Sequence, residues 1–194
     1  FLFFYMKTRV GVIFGGRSGE HEISIRSAKT VIEQLDFDRY EVFPIGISNE
    51  GRWLSPSESV GMLPESTKAL FIERYGEPSE DRIVLSGDAA MHGLTTLDVP
   101  GSSVPLDVVF PVLHGTFGED GTIQGLFEMA DIPYVGCGVL ASSCGMDKVF
   151  MKTLFRDAGL PMCNYVWFLR GEWESAADTV VKLVESKIGY PCFV

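Results

Sequence analysis

Residues His114-Gly115-Thr116-Phe117-Gly118-Glu119-Asp120-Gly121-Thr122-Ile123-Gln124-Gly125 concentrate one histidine, two adjacent carboxylates and four glycines in twelve positions. Each ordered glycine forfeits more backbone entropy than any other residue, so such a loop is costly as mere connection and is better read as shaped for a ligand. It follows the apolar run Asp107-Val108-Val109-Phe110-Pro111-Val112-Leu113, which places it at the end of a buried strand. The imidazole of His114 can donate a hydrogen bond to a carboxylate or orient a neighbouring acid; a lone histidine at a strand end is more often structural, and it is the surrounding loop that brings the functional reading level with that one. Glu119 and Asp120 invite a metal-site reading. Adjacent carboxylates in a G-E-D-G turn diverge, however, and no third acid stands at ligand spacing, so helix capping by Asp120 or Thr122 is the stronger expectation.

A second loop, Gly15-Gly16-Arg17-Ser18-Gly19-Glu20, lies between an apolar run and a helix, where open parallel sheets bind ligands beyond the carboxyl ends of their strands. Its spacing is not that of a dinucleotide fingerprint, and Glu22 would repel a pyrophosphate at the helix N-terminus, which argues against a nicotinamide-dependent oxidoreductase. Glu20, beside the positive end of a helix, stays ionised readily and could hold a substrate ammonium. The bland alternative is that Glu20, Glu22 and Ser24 only cap that helix. Lys148 opens a later helix, an unfavourable place for a cation unless a phosphate lies alongside; a purely structural role is equally open.

The elements that must position these residues follow from hydrophobic periodicity. Lys7–Phe14 reads as a buried strand ending at Gly15-Gly16, Ile23 to Leu35 as a helix with Ala28, Val31, Ile32 and Leu35 on one face, and Tyr40–Ile47 as a second strand. This strand-helix-strand unit, with its expected right-handed crossover, sets the class as α/β. Residues 50–105 are less regular, with short strands expected near Arg52-Trp53-Leu54 and Arg82-Ile83-Val84-Leu85. Beyond the long glycine loop, Ile123, Leu126, Phe127 and Ala130 mark a helix and Pro133-Tyr134-Val135 a short strand. Phe150, Met151, Leu154, Phe155 and Ala158 mark a helix stopped by Gly159-Leu160-Pro161, followed by a strand at Tyr165–Phe168. Ala177, Val180, Val181, Val184 and Ile188 define a last helix, and Gly189–Val194 a turn entering a strand. A chain that stops mid-strand is expected to be truncated, with a second domain opening near Asp147-Lys148.

The chain has 194 residues, 46% of them hydrophobic, enough for one good core and the start of a second domain in a soluble globular protein. Sixteen basic against 26 acidic residues give a formal charge of −10, which opposes general binding to nucleic acid or anionic lipid. Cys137, Cys144, Cys163 and Cys192 show no C-x-x-C pair, so neither a zinc knuckle nor a disulfide framework is indicated and a reducing cytoplasm fits best. Phe1–Tyr5 is too short to span a bilayer and lacks the features of a signal peptide. Met6 is the more natural start, with residues 1–5 an extension of doubtful origin.

Taken together, the motifs resemble those of the D-alanine-D-alanine ligase family within the ATP-grasp superfamily. His114 to Gly125 matches its H-G-x-x-G-E-D-G-x-x-Q-G signature, Gly15 to Ser24 resembles its G-G-x-S-x-E-x-E-x-S opening, and Ser142 to Lys148 resembles the region ending in M-D-K. The resemblance implies a Rossmann-like, parallel-sheet pre-ATP-grasp domain over residues 6–146 and the beginning of an ATP-grasp domain over 147–194. It implies that Glu20 engages the ammonium of the first D-alanine, that His114 lies at the same pocket and that Lys148 contacts ATP phosphates. It further implies ATP with magnesium or manganese, an acyl-phosphate route to D-alanyl-D-alanine for peptidoglycan synthesis, and a homodimer formed through the N-terminal domain. The family's second phosphate-binding lysine, its serine-rich and mobile loops and its metal ligands follow the stretch matching Pro191–Val194, so the 194 residues alone are expected to be inactive. Choice of D-lactate or D-serine as second substrate, or a non-catalytic ligand-binding remnant, are the competing readings.

Overall fold

The computed structural model describes residues 6–71, 75, 82–91, 93–97 and 103–193. Residues 1–5 and Val194 lie outside the described residues, and with them the N-terminal extension and the end of the expected last strand. The chain divides into two compact units, Phe1–Met146 and Asp147–Val194.

The first unit is built on a three-stranded parallel sheet with β1 (Thr8–Gly15) at its centre. β2 (Tyr40–Ile47) pairs along one side of β1, from Thr8 opposite Tyr40 to Gly15 opposite Ile47. The strand Val108–Pro111 pairs along the other side, from Val10 opposite Val108 to Ile13 opposite Pro111. Parallel pairing brings all three carboxyl ends to one edge. Helix α1 (His21–Gln34) connects β1 to β2 and starts two residues before the expected Ile23.

The sheet is covered on both faces, as near-continuous apolar strands require. Val10, Val12 and Phe14 alternate toward one side, where they pack with Ala28 and Ile32 of α1 and with Leu63 and Phe71. Ile13, Ile45, Val109 and Leu113 meet Leu94, Leu106, Ile123 and Phe127 in a second cluster. Burial of each such side chain contributes roughly 1.5–3 kcal/mol. These two cores fix the sheet edge that carries both glycine-rich loops.

The stretch between β2 and Val108 is more ordered than its composition suggests. It contains the short helices α2 (Pro56–Val60) and α3 (Glu65–Lys68), and a small antiparallel sheet of β3 (Ile83–Leu85), β4 (Gly93–Thr96) and β5 (Ser103–Pro105). The Arg52–Leu54 segment forms only single bridges, Trp53 to Ile47 and Leu54 to Arg82, rather than a strand. The strand Val108–Pro111 is β6. After it come α4 (Thr122–Met129) and α5 (Val139–Met146), while Tyr134 makes a single bridge to Val109 where a short strand was expected.

The second unit holds α6 (Lys148–Asp157) and α7 (Arg170–Lys187). α6 ends as its glycine-proline sequence requires: Gly159 has φ 71°, its amide donates to Arg156 and the Leu160 amide donates to Phe155. α7 begins well before its apolar stripe and is broken at Ala176, where φ and ψ are −152° and 53°. Two expectations fail here. Tyr165–Phe168 and the described part of Gly189–Val194 are not strands. Their composition suits β-structure, but a strand exists only through hydrogen bonds to a neighbour, and this unit has none among the described residues.

Among the described residues no helix is long and apolar enough to cross a membrane. Cys137, Cys144, Cys163 and Cys192 are free thiols.

Candidate functional site

Between β1 and β6 the sheet order reverses direction of growth, the point at which open parallel sheets leave a crevice for ligands. Ser24, on α1, ties the two strand ends together. Its buried hydroxyl donates to the Val112 carbonyl at 2.6 Å and accepts from the Gly15 amide at 2.8 Å. Ser24 therefore satisfies two backbone groups that the sheet leaves over, which is a different role from capping the helix. Buried His21 lies with Nδ1 2.9 Å from the Gly16 carbonyl oxygen. A carbonyl only accepts, so Nδ1 carries the proton.

Glu20 occupies the N-cap position of α1, yet its carboxylate makes no capping bond. The side chain instead reaches the second loop: Oε2 lies 2.9 Å from the point where a Cβ on Gly115 would stand. An exposed carboxylate thus sits at the positive end of a helix, uncommitted to that helix, against the backbone of the His114 loop.

The two adjacent acids of the second loop are spent on its own backbone. Glu119 Oε2 accepts from the Gly115 amide at 2.7 Å. Asp120 Oδ2 accepts from Phe117 at 2.9 Å and Oδ1 from Thr122 at 3.0 Å. Asp120 therefore serves the first amide of α4, as the capping expectation holds, but the N-cap position is Gly121, at φ 92°, and Thr122 is the first helical residue. Glu119 closes the loop instead of capping. Burial works to raise the Asp120 pKa, but hydrogen bonds from the Phe117 amide and from the hydroxyl and amide of Thr122 outweigh it and hold the carboxyl below its usual range. Buried Gln124 completes the loop by donating to the Gly118 carbonyl at 2.9 Å. Among the described residues no three His, Cys, Asp or Glu side chains are grouped to hold a metal.

His114 is half-buried at the end of β6. Its Nε2 lies 3.0 Å from Ser27 Oγ on α1, and its Nδ1 lies 4.0 Å from Glu119 Oε1. Both loops line one open cleft of about 300 Å³, whose walls include Gly16, Arg17, Glu50, Trp53, His114 and Phe117. The Arg17 guanidinium stacks 4.5 Å from the centre of the Phe117 ring and clasps the loops together. Hydrogen bonds from Ser48 first, and from backbone, lower the Glu50 pKa at the cleft wall. Sequence reasoning missed Arg17 and Ser27 and gave Ser24 only a capping role. Only the serines' position one helical turn apart, facing the strand ends, could have revealed the last two.

Lys148 lies in the second unit. Asp147 caps α6, accepting from Val149 at 2.9 Å and Phe150 at 3.0 Å. Lys148 and Lys152, one turn apart, border a cavity of about 650 Å³ walled by Tyr165, Trp167, Phe168, Val184 and Ile188. Lys152 Nζ stands 4.7 Å from the centre of the Tyr165 ring. Apolar aromatic walls with two cations at the rim suit a ligand that joins a flat ring to an anionic group.

A family model described as D-ala D-ala ligase N-terminus matches residues 9–137, the span that carries Glu20, His114 and both loops. The chain belongs to the D-Ala-D-Ala ligase family. The D-alanine-D-alanine ligase of Heliobacterium modesticaldum is 48% identical over 190 residues, covering 97% of this chain and 50% of the relative. That of Natranaerobius thermophilus is 45% identical over 188 residues, covering 97% and 49%. Among solved structures, the VanG D-Ala:D-Ser ligase from Enterococcus faecalis superposes with a TM-score of 0.73 at 35% identity, covering 96% of this chain and 51% of that one. The Coxiella burnetii D-alanine-D-alanine ligase superposes at 0.70 with 33% identity, covering 91% and 50%. The chain spans about half the length of the family members it matches. These likenesses agree with the α/β, parallel-sheet architecture expected from the resemblance.

Proposed function

We propose that this chain is the N-terminal half of an ATP-dependent ligase that joins two D-alanines into D-alanyl-D-alanine for peptidoglycan precursors. One observation carries the reading. The exposed carboxylate of Glu20, unspent on its helix, lies against Gly115 in the loop that begins with His114. A carboxylate on one loop and an imidazole on its neighbour would grip the ammonium and carboxylate of one small amino acid. The opposed grips would fix which end of the first D-alanine is presented for reaction, a gain in orientation worth several orders of magnitude in rate.

In this reading residues 6–146 form the substrate-binding domain and residues 147–194 begin the ATP-grasp domain. Lys148, with Lys152, would face the nucleotide phosphates, and the aromatic wall would take the base; the donor set of that cavity fits such a ligand. ATP supplies the phosphoryl group that turns a carboxylate oxygen into a leaving group. By the family resemblance, magnesium or manganese would be held by residues of the complete protein outside the described residues. A cytoplasmic homodimer is the proposed setting.

The test is product formation. The complete protein should form D-alanyl-D-alanine from D-alanine and ATP, and the 194-residue chain alone should form none. Dipeptide made by the isolated chain would contradict the half-enzyme reading. A second reading, D-serine as second substrate, is favoured by the similarity to the VanG D-Ala:D-Ser ligase. Competition between D-alanine and D-serine in the same assay separates the two.

A further inference from the structure

We infer that Ser27 is a positioning residue that, together with the Glu119 carboxylate, holds His114 as the Nδ1-H tautomer. The inference rests on the reading of His114 as a substrate contact only for its kinetic consequence, not for its geometry. Ser27 Oγ lies 3.0 Å from Nε2, and the Glu119 carboxylate faces Nδ1 from 4.0 Å. A neutral imidazole has one donor and one acceptor nitrogen, so two assignments compete. With the proton on Nε2, the ring donates to Ser27 and turns the Nδ1 lone pair toward a carboxylate oxygen, which is repulsive. With the proton on Nδ1, the Ser27 hydroxyl donates to Nε2 and the N-H dipole points its positive end at Glu119.

Glu119 is held in place independently, because its other oxygen accepts from the Gly115 amide at 2.7 Å. Its distance from Nδ1 is too long for a hydrogen bond. The Nδ1-H group is therefore oriented by Ser27 and by the field of Glu119 without being consumed by either. It is a donor kept available for an incoming anionic group such as an amino-acid carboxylate. Ser27 does for His114 what a supporting hydrogen bond does for a metal-bound histidine: it holds the ring and supplies the donor that the unprotonated Nε2 needs, while the field of Glu119 favours the proton on Nδ1.

Imidazole nitrogen NMR on the 15N-labelled protein, at a pH where the rings are neutral, reads the tautomer directly. His21, whose Nδ1 faces a carbonyl oxygen, supplies an internal Nδ1-H reference, and His114→Gln identifies the His114 signals. The expected spectrum has a pyridine-like Nε2 for His114, moving toward the Nε2-H form in Ser27→Ala and returning in Ser27→Thr, which keeps the hydroxyl. An Nε2-H signature in the unsubstituted protein, or a spectrum unchanged by Ser27→Ala, overturns the inference.

In the complete protein Ser27→Ala should raise KM for the first D-alanine roughly tenfold, the worth of one hydrogen bond to a charged group, with kcat within about twofold. Ser27→Thr should restore KM. A tautomer that shifts while KM stays constant would uphold Ser27 as the residue positioning His114 and contradict the functional reading of His114.

Discussion

The carboxylate of Glu20 occupies the space that a side chain on Gly115 would need, with Oε2 2.9 Å from the Cβ position. Gly115 also has φ 70°, in the left-handed region. Its lack of a side chain thus serves two ends, the turn of the loop and the approach of the acid. Gly115→Ala should cost about 1–2 kcal/mol for the backbone conformation. The steric conflict adds little to that, because the end of a glutamate side chain can swing aside. The functional cost should be the larger one, since the acid that swings aside is the proposed ammonium ligand. Denaturant melts and D-alanine kinetics on the same variant should show modest destabilisation with a rise in KM of more than about tenfold.

Ser24 links the β1 and β6 ends through one buried hydroxyl. Ser24→Ala leaves a buried amide and a buried carbonyl without that partner, and should destabilise the first unit by about 1–3 kcal/mol. Urea unfolding monitored by far-UV circular dichroism measures it. A loss near zero would mean that water replaces the hydroxyl and that the strand ends are not held by α1.

Asp120 couples loop order to pH. Its folded pKa is lowered, so its stabilising contribution is fully present above the unfolded value near 4 and is lost as pH falls through the depressed folded value. Hydrogen exchange of the Phe117 and Thr122 amides should accelerate, relative to neighbouring loop amides, as the solution is acidified below about pH 4. Asp120→Asn keeps one acceptor oxygen where two are used, so it should expose one of these amides at neutral pH and remove the acid dependence.

Much of the architecture is legible in the chain. Lys7–Phe14, Ile23–Leu35 and Tyr40–Ile47 anticipate β1, α1 and β2 closely, because each is a continuous apolar run or a stripe bounded by glycine or polar residues. β4 and β5 escape notice because Gly93–Thr96 and Ser103–Pro105 are only four and three residues long, with a single large apolar residue each, Leu94 and Val104, and they exist through antiparallel pairing. α5 escapes because Val139–Met146 has no apolar stripe. Tyr165–Phe168 misleads in the opposite sense, with strand residues and no pairing strand among the described residues.

The site divides the same way. Residue types mark both loops as functional, but they do not say that Glu119 and Asp120 are consumed by loop amides while Glu20 is left uncommitted. That distinction needs coordinates, because three carboxylates in glycine-rich loops look alike in sequence. Ser27 is likewise invisible until α1 is laid beside the end of β6.

Lys148 and Lys152 border an aromatic-walled cavity in the second unit. If both face phosphates, replacing Lys148 with Ala in the complete protein should weaken ATP binding by roughly tenfold or more, the scale of a charge-assisted hydrogen bond. Lys152→Ala should act in the same direction. Calorimetric titration at two salt concentrations checks this, with the unsubstituted protein losing more affinity to salt than either variant.

The most direct test of the account is D-alanine-dependent phosphate release from ATP by the complete protein, with and without Glu20→Gln. Glutamine keeps the size and polarity of the side chain and removes its charge, so kcat/KM for the first D-alanine should fall roughly thirtyfold or more with ATP affinity unchanged. Equal rates in the two proteins would contradict the assignment of Glu20 as the ammonium ligand, and no D-alanine-dependent release by the unsubstituted protein would contradict the ligase reading itself.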